Sequence, residues 1–130
     1  MRALISAGLL FVLTPPAAGA DEGTISLHTG HGAQVQGMLW DPPGDGLVYR
    51  FRFVSPSFTG DEDFELQAID LEYLCTAYAM PRLADIGPMP SRIVISLADR
   101  ASEFGQFDPD VAQVFESFSP QGERCIWEMH

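Results

Sequence analysis

Arg50 and Arg52 stand two residues apart in the run LVYRFRFV, residues 47–54, interleaved with Tyr49, Phe51 and Phe53. Alternate side chains of a strand face opposite ways, so this spacing puts the aromatics on one face and both guanidiniums on the other. Arg124 has the same parity in RCIWEM, residues 124–129, opposite to Cys125 and Trp127. A guanidinium grips carboxylates and phosphates through a fork of N–H donors. Three of them on one surface would form a binding site for acidic groups of a protein partner or for a small anionic ligand. Cross-strand carboxylates such as Glu128 compete for the same donors.

Other constellations offer less. His28 and His31 have an H-x-x-H spacing, but zinc or copper needs further ligands in a fixed geometry, and His130 is the chain end. Asp61, Asp63 and Glu65 alternate as calcium ligands can. The glycine at six and glutamate at twelve of an EF-hand loop are missing in frame, however, and acids there suit the positive end of a helix. There is no G-x-S-x-G elbow, no glycine-rich phosphate loop and no C-x-x-C pair. No catalytic residue, metal ligand or cofactor is therefore assigned.

These side chains work where the chain is sent. Arg2, an apolar run from Ala3 to Leu13, the break Thr14-Pro15-Pro16 and the small residues Ala18-Gly19-Ala20 have the layout of a cleaved secretory signal. Residues 1–20 are expected to leave, and Asp21 to begin a single small domain over 21–130. The destination is periplasmic or extracellular. The apolar run is too short to span a bilayer, and no integral membrane segment is expected after the signal is removed. In that compartment the two cysteines, Cys75 and Cys125, are expected to form a structural disulfide.

The full chain carries 7 basic and 18 acidic residues, every basic one an arginine, for a formal charge of −11. Losing Arg2 leaves 6 − 18 = −12. Such a surface repels nucleic acid and anionic lipid, whose binding requires neutralising cations.

The elements that must position the arginines follow from periodicity and turn residues. TISLH, residues 24–28, and AQVQGMLW, residues 33–40, read as N-terminal strands. DPPGDG, residues 41–46, is a turn. Leu47 to Val54 is the clearest strand. Thr59 and Glu62 match a capping box before a helix on which Phe64, Ala68, Leu71, Cys75 and Tyr78 form one face. Leu66, Ile69 and Tyr73 form a second apolar stripe, and Pro81 is expected to end the helix. RIVISLA, residues 92–98, is a buried strand, and residues 103–107 a weak one. Asp108-Pro109 has the form of a helix start, with Val111, Val114, Phe115 and Phe118 as its apolar face. Arg124 to Met129 is the last strand. This order predicts an α+β fold, a two-layer split βαβ (ferredoxin-like) core. Two helices would cover one face of a mainly antiparallel sheet, with the N-terminal strands added. The disulfide would pin the first helix to the last strand.

Leu74-Cys75, Tyr78-Ala79-Met80-Pro81, Ile93-Val94-Ile95-Ser96-Leu97, Asp99-Arg100, Glu103-Phe104-Gly105, Phe115-Glu116 and Cys125-Ile126-Trp127-Glu128 resemble, in order and spacing, a small family of secreted alphaproteobacterial proteins of unknown function. The resemblance runs from Val48 to Glu128 and implies no established activity. The function that fits these readings is a non-enzymatic secreted or periplasmic binding or accessory module. The alternative is a small secreted enzyme without a recognisable motif.

Overall fold

Strand β3, Val48–Val54, is the spine of the domain. Tyr49, Phe51 and Phe53 are buried, and Arg50 and Arg52 lie on the opposite face, as the alternation requires. The structure, a computed structural model, describes Gly8, residues 23–41 and residues 46–128. The expected signal segment, Gly8 apart, lies outside the described residues, as does His130.

Six strands form one sheet in sequence order: β1 (Ile25–Ser26), β2 (Gly32–Asp41), β3, β4 (Arg92–Ala98), β5 (Gln113–Gln121) and β6 (Arg124–Trp127). Every neighbouring pair is antiparallel except β3 and β4. Parallel strands cannot be joined by a tight turn. The chain therefore crosses over through a helix, which spans Phe64–Tyr73 (α1), a π-helical stretch Leu74–Ala79, and Met80–Ile86 (α2). The N-terminal strands extend the sheet, as expected.

The helix begins at Phe64, and its cap is Asp63, whose carboxylate accepts from the N–H groups of Glu65 and Leu66. Glu62 reaches back to the Thr59 N–H, so the expected capping pair closes the turn just ahead of the helix instead of capping it. Pro81 does not end the helix. It is the second residue of α2, directly after the wider π turns. Those turns also set which face is buried. Leu71, Cys75, Ala79 and Leu83 are all buried at intervals of four. In a regular helix each such step overshoots a full turn by about 40°. The π stretch, with its i→i+5 bonds, takes up that drift. The second apolar stripe, Leu66, Ile69 and Tyr73, stays largely exposed, and so does Phe64.

The core lies between this helix and one face of the sheet. Phe51, Phe53, Ile93, Ile95, Leu97 and Phe118 meet Leu71, Leu74 and Leu83. The disulfide Cys75–Cys125, fully buried with its Cα atoms 6.0 Å apart, ties the π stretch to β6. No described helix is long and apolar enough to cross a membrane.

The expected split βαβ core with two helices does not form. Residues 113–121 are a strand, not a helix, and residues 99–112 are an irregular loop, not a weak strand followed by a helix start. The Asp108 turn forms locally, with its carboxylate accepting from the Asp110 N–H and its carbonyl from the Val111 N–H. It stops there because the next N–H, that of Ala112, goes to the Asp99 carboxylate, while the Asp99 N–H goes to the Ala112 carbonyl. That exchange closes the loop and starts β5 beside β4. The spacing of Val114, Phe115 and Phe118 fits a helix face, but it also fits a strand with Val114 and Phe118 inward and Phe115 outward.

Candidate binding groove

The face of the sheet away from the helix holds the site. Register places Arg50 beside Val94 and Arg52 beside Ser96, with Phe115 next to Ser96 on β5. Loop 99–112 arches over these residues. It is held down at Ser102, whose carbonyl accepts from Arg52 Nη2 at 2.8 Å and from Gln36 Nε2 at 2.9 Å. The Asp99 carboxyl at the loop's foot is held below its ordinary pKa by its hydrogen bond from Arg100. Gly105, with φ 80°, supplies the left-handed backbone that lets the loop turn back.

The result is a groove of about 260 Å³ with a charged floor and aromatic walls. The Phe104 ring lies 5.7 Å from Arg50 Cζ and 5.6 Å from Arg52 Cζ, within cation–π range of both. Phe107 and Phe115 complete the walls and are 91% and 65% exposed. Arg50 is engaged by Asp41, through Nη2 at 3.0 Å and Nε at 3.2 Å. Arg52 has no carboxylate partner among the described residues. It donates only through Nη2, to the Ser102 carbonyl and more loosely to the Ser102 hydroxyl at 3.4 Å. Its remaining N–H donors are available to a ligand.

Of the three arginines singled out by parity, two share the groove and the third does not. Arg124, on β6, opposes Gln121 of β5, with β4 and β5 lying between it and β3. A split βαβ sheet would make the strands of Arg52 and Arg124 neighbours, whereas the sequential order found here separates them. Glu128, expected as a competing carboxylate, pairs with Arg92 instead, at 3.0 Å.

His28 and His31 take different partners. The His28 ring stacks edge-on against Tyr73, and the backbone N–H of His28 donates to Asp70. The His31 ring lies between Ser57 and Glu62. Among the described residues no three His, Cys, Asp or Glu side chains converge to hold a metal. Sequence reasoning missed Phe104, Phe107 and Ser102, because residues 103–107 were expected to be a strand. The signal lay in the same residues: phenylalanines set among Gly105, Asp108 and Pro109 mark an apolar loop bounded by turns.

Fold and groove together define a small disulfide-linked α/β domain with a loop-covered basic and aromatic groove on its open sheet face. Residues 11–130 match a family of unknown function (DUF6497), and the chain belongs to that family. No curated protein matches the chain, and no solved structure does.

Proposed function

We propose that the chain is a secreted binding module whose groove takes a small carboxylate ligand with an apolar or aromatic body. The observation that carries this reading is the conjunction of Arg52, which lacks a carboxylate partner among the described residues, with Phe104, Phe107 and Phe115 around one groove. The guanidinium meets the carboxylate, and the rings cover the body of the ligand. A groove of this size suits a molecule the size of a single aromatic acid. In a protein of charge −11 the attraction is local, and it weakens with added salt.

Titration with phenylacetate, followed by calorimetry or amide chemical shifts, tests this. Binding is expected at loop 99–112 and β3. Arg52→Gln is expected to weaken it about tenfold to a hundredfold, the usual worth of hydrogen bonds to a charged group. Phe107→Ala, which leaves the loop anchors in place, is expected to weaken it less. Equal binding of phenylacetamide, or unchanged affinity in Arg52→Gln, overturns the reading.

Export is part of the same proposal. Residues 1–20 act as the signal, and the functional chain is the domain over 21–130, delivered to the periplasm or beyond it. A buried disulfide agrees with that compartment. N-terminal sequencing of the exported protein is expected to begin at Asp21. Recovery of the exported protein with Met1 to Ala20 attached refutes it.

A further inference from the structure

A second cluster of polar side chains lies outside the groove, where the turn after β1 meets the connection from β3 to α1. His31 Nδ1 is 2.6 Å from Ser57 Oγ, and His31 Nε2 is 3.1 Å from Glu62 Oε1. The Glu62 carboxylate is fixed by three further donors: the Thr59 N–H at 2.7 Å, the Thr59 hydroxyl at 2.8 Å and the Gly60 N–H at 2.9 Å. Burial alone would raise its pKa, but these bonds prevail and lower it to about 2. Glu62 is therefore ionised at neutral pH and can only accept. Nε2 of the neutral imidazole must then carry the proton, and the lone pair of Nδ1 faces the Ser57 hydroxyl. Exposure is graded along the series: the side chains of Glu62 and His31 are 12% and 20% exposed, whereas Ser57 lies at the surface.

A reachable hydroxyl, a sheltered base and an anchored carboxylate in hydrogen-bonded sequence are what an activated serine requires. We propose that Ser57 is a nucleophile toward small esters, with His31 as its general base and Glu62 as the residue that positions His31. In the first half, Ser57 Oγ bonds to the ester's carbonyl carbon while its proton passes to His31 Nδ1. The bond from that carbon to the alcohol oxygen breaks, and the alcohol leaves with the proton from Nδ1. In the second half, water bonds to the acyl carbon and gives a proton to Nδ1. The Ser57 ester bond breaks, and Oγ recovers that proton. Ester and water become acid and alcohol, with no redox change, and Glu62 stays ionised throughout.

The test uses the full chain in its disulfide-bonded state and an alkyl fluorophosphonate, which loses fluoride when a serine oxygen bonds to phosphorus. Mass spectrometry is expected to find a single adduct, on Ser57, and p-nitrophenyl acetate hydrolysis is expected to fall in parallel with labelling. Ser57→Ala abolishes both. His31→Gln keeps a side chain able to bridge Ser57 and Glu62 but supplies no base. It is expected to slow labelling at least about 100-fold with an unchanged melting temperature. Glu62→Gln slows labelling while leaving the hydroxyl in place. Absence of a Ser57 adduct in the parent chain, adducts spread over several serines, or undiminished labelling of a folded His31→Gln overturns the proposal. Phenylacetate binding in the groove is read independently, so failure here leaves the groove's test standing.

Discussion

Replacing Cys75 and Cys125 together with serine is expected to lower the unfolding free energy by about 2–5 kcal/mol, the range for removing a native disulfide from a small protein. The bridge closes a separation of 50 residues, for which chain entropy alone assigns about 4 kcal/mol. Its position in the fold concentrates the effect. β6 has four residues and is paired along one side, to β5. Beyond that pairing, the disulfide, the Cys125 N–H donating to Thr76 Oγ1 at 3.3 Å and the Trp127 Nε1–H donating to Glu116 Oε2 at 2.8 Å hold it. Both sulfurs are fully buried against the π stretch. Urea titration of the double variant measures the loss, and hydrogen exchange is expected to find β6 opening first. Thiol labelling of both cysteines in the unreduced native protein, or a loss below about 1 kcal/mol, contradicts this account.

Asp70→Ala is expected to cost about 3 kcal/mol, because two hydrogen bonds to one buried carboxyl group are lost. Asp70 sits in the middle of α1 and is 2% exposed. Its two oxygens accept from the His28 N–H at 2.7 Å and the Thr29 hydroxyl at 2.6 Å. The carboxylate thereby clamps the β1–β2 turn onto the helix, and Leu27 and Ala33 are buried on either side of that turn. Asp70→Asn keeps one acceptor oxygen and is expected to lose less. Equilibrium denaturation of both variants checks the ranking. A loss within about 0.5 kcal/mol for the alanine variant would show that the turn is held by packing alone.

The clamp also marks where local reasoning stops. Asp70 reads in sequence as one more acid on a helix, because its partners lie 41 and 42 residues away. The strand Val48–Val54 is legible for the opposite reason: its alternation is complete within seven residues. The start of the helix at Phe64 is equally local, since acids and a cap lie within one turn of it. Its passage through Pro81 was not legible, because the π turns that admit the proline come from packing Leu71, Cys75, Ala79 and Leu83 on one sheet face.

The groove shows the same division. Parity alone placed Arg50 and Arg52 together, because both belong to one strand. It could not say whether Arg124 joined them, since that depends on which strands are neighbours. Nor could it decide residues 111–118, whose apolar spacing satisfies both a helical and a strand period. Free Phe107 and half-free Phe115 are visible only once the loop is seen closed by Asp99 and Ala112 and held at Ser102 by Gln36 and Arg52.

By itself the sequence determined the elements whose signals span one or two turns of chain: the alternating strand, the capped helix and the oxidisable cysteine pair. Tertiary structure decided the strand order, the fate of residues 99–121, that Arg52 faces the groove with no acidic partner among the described residues, and the meeting of Ser57, His31 and Glu62. The physical reason is range. Caps and strand alternation are set by neighbours along the chain, whereas strand pairing, loop anchoring and side-chain convergence are won by contacts between residues tens of positions apart.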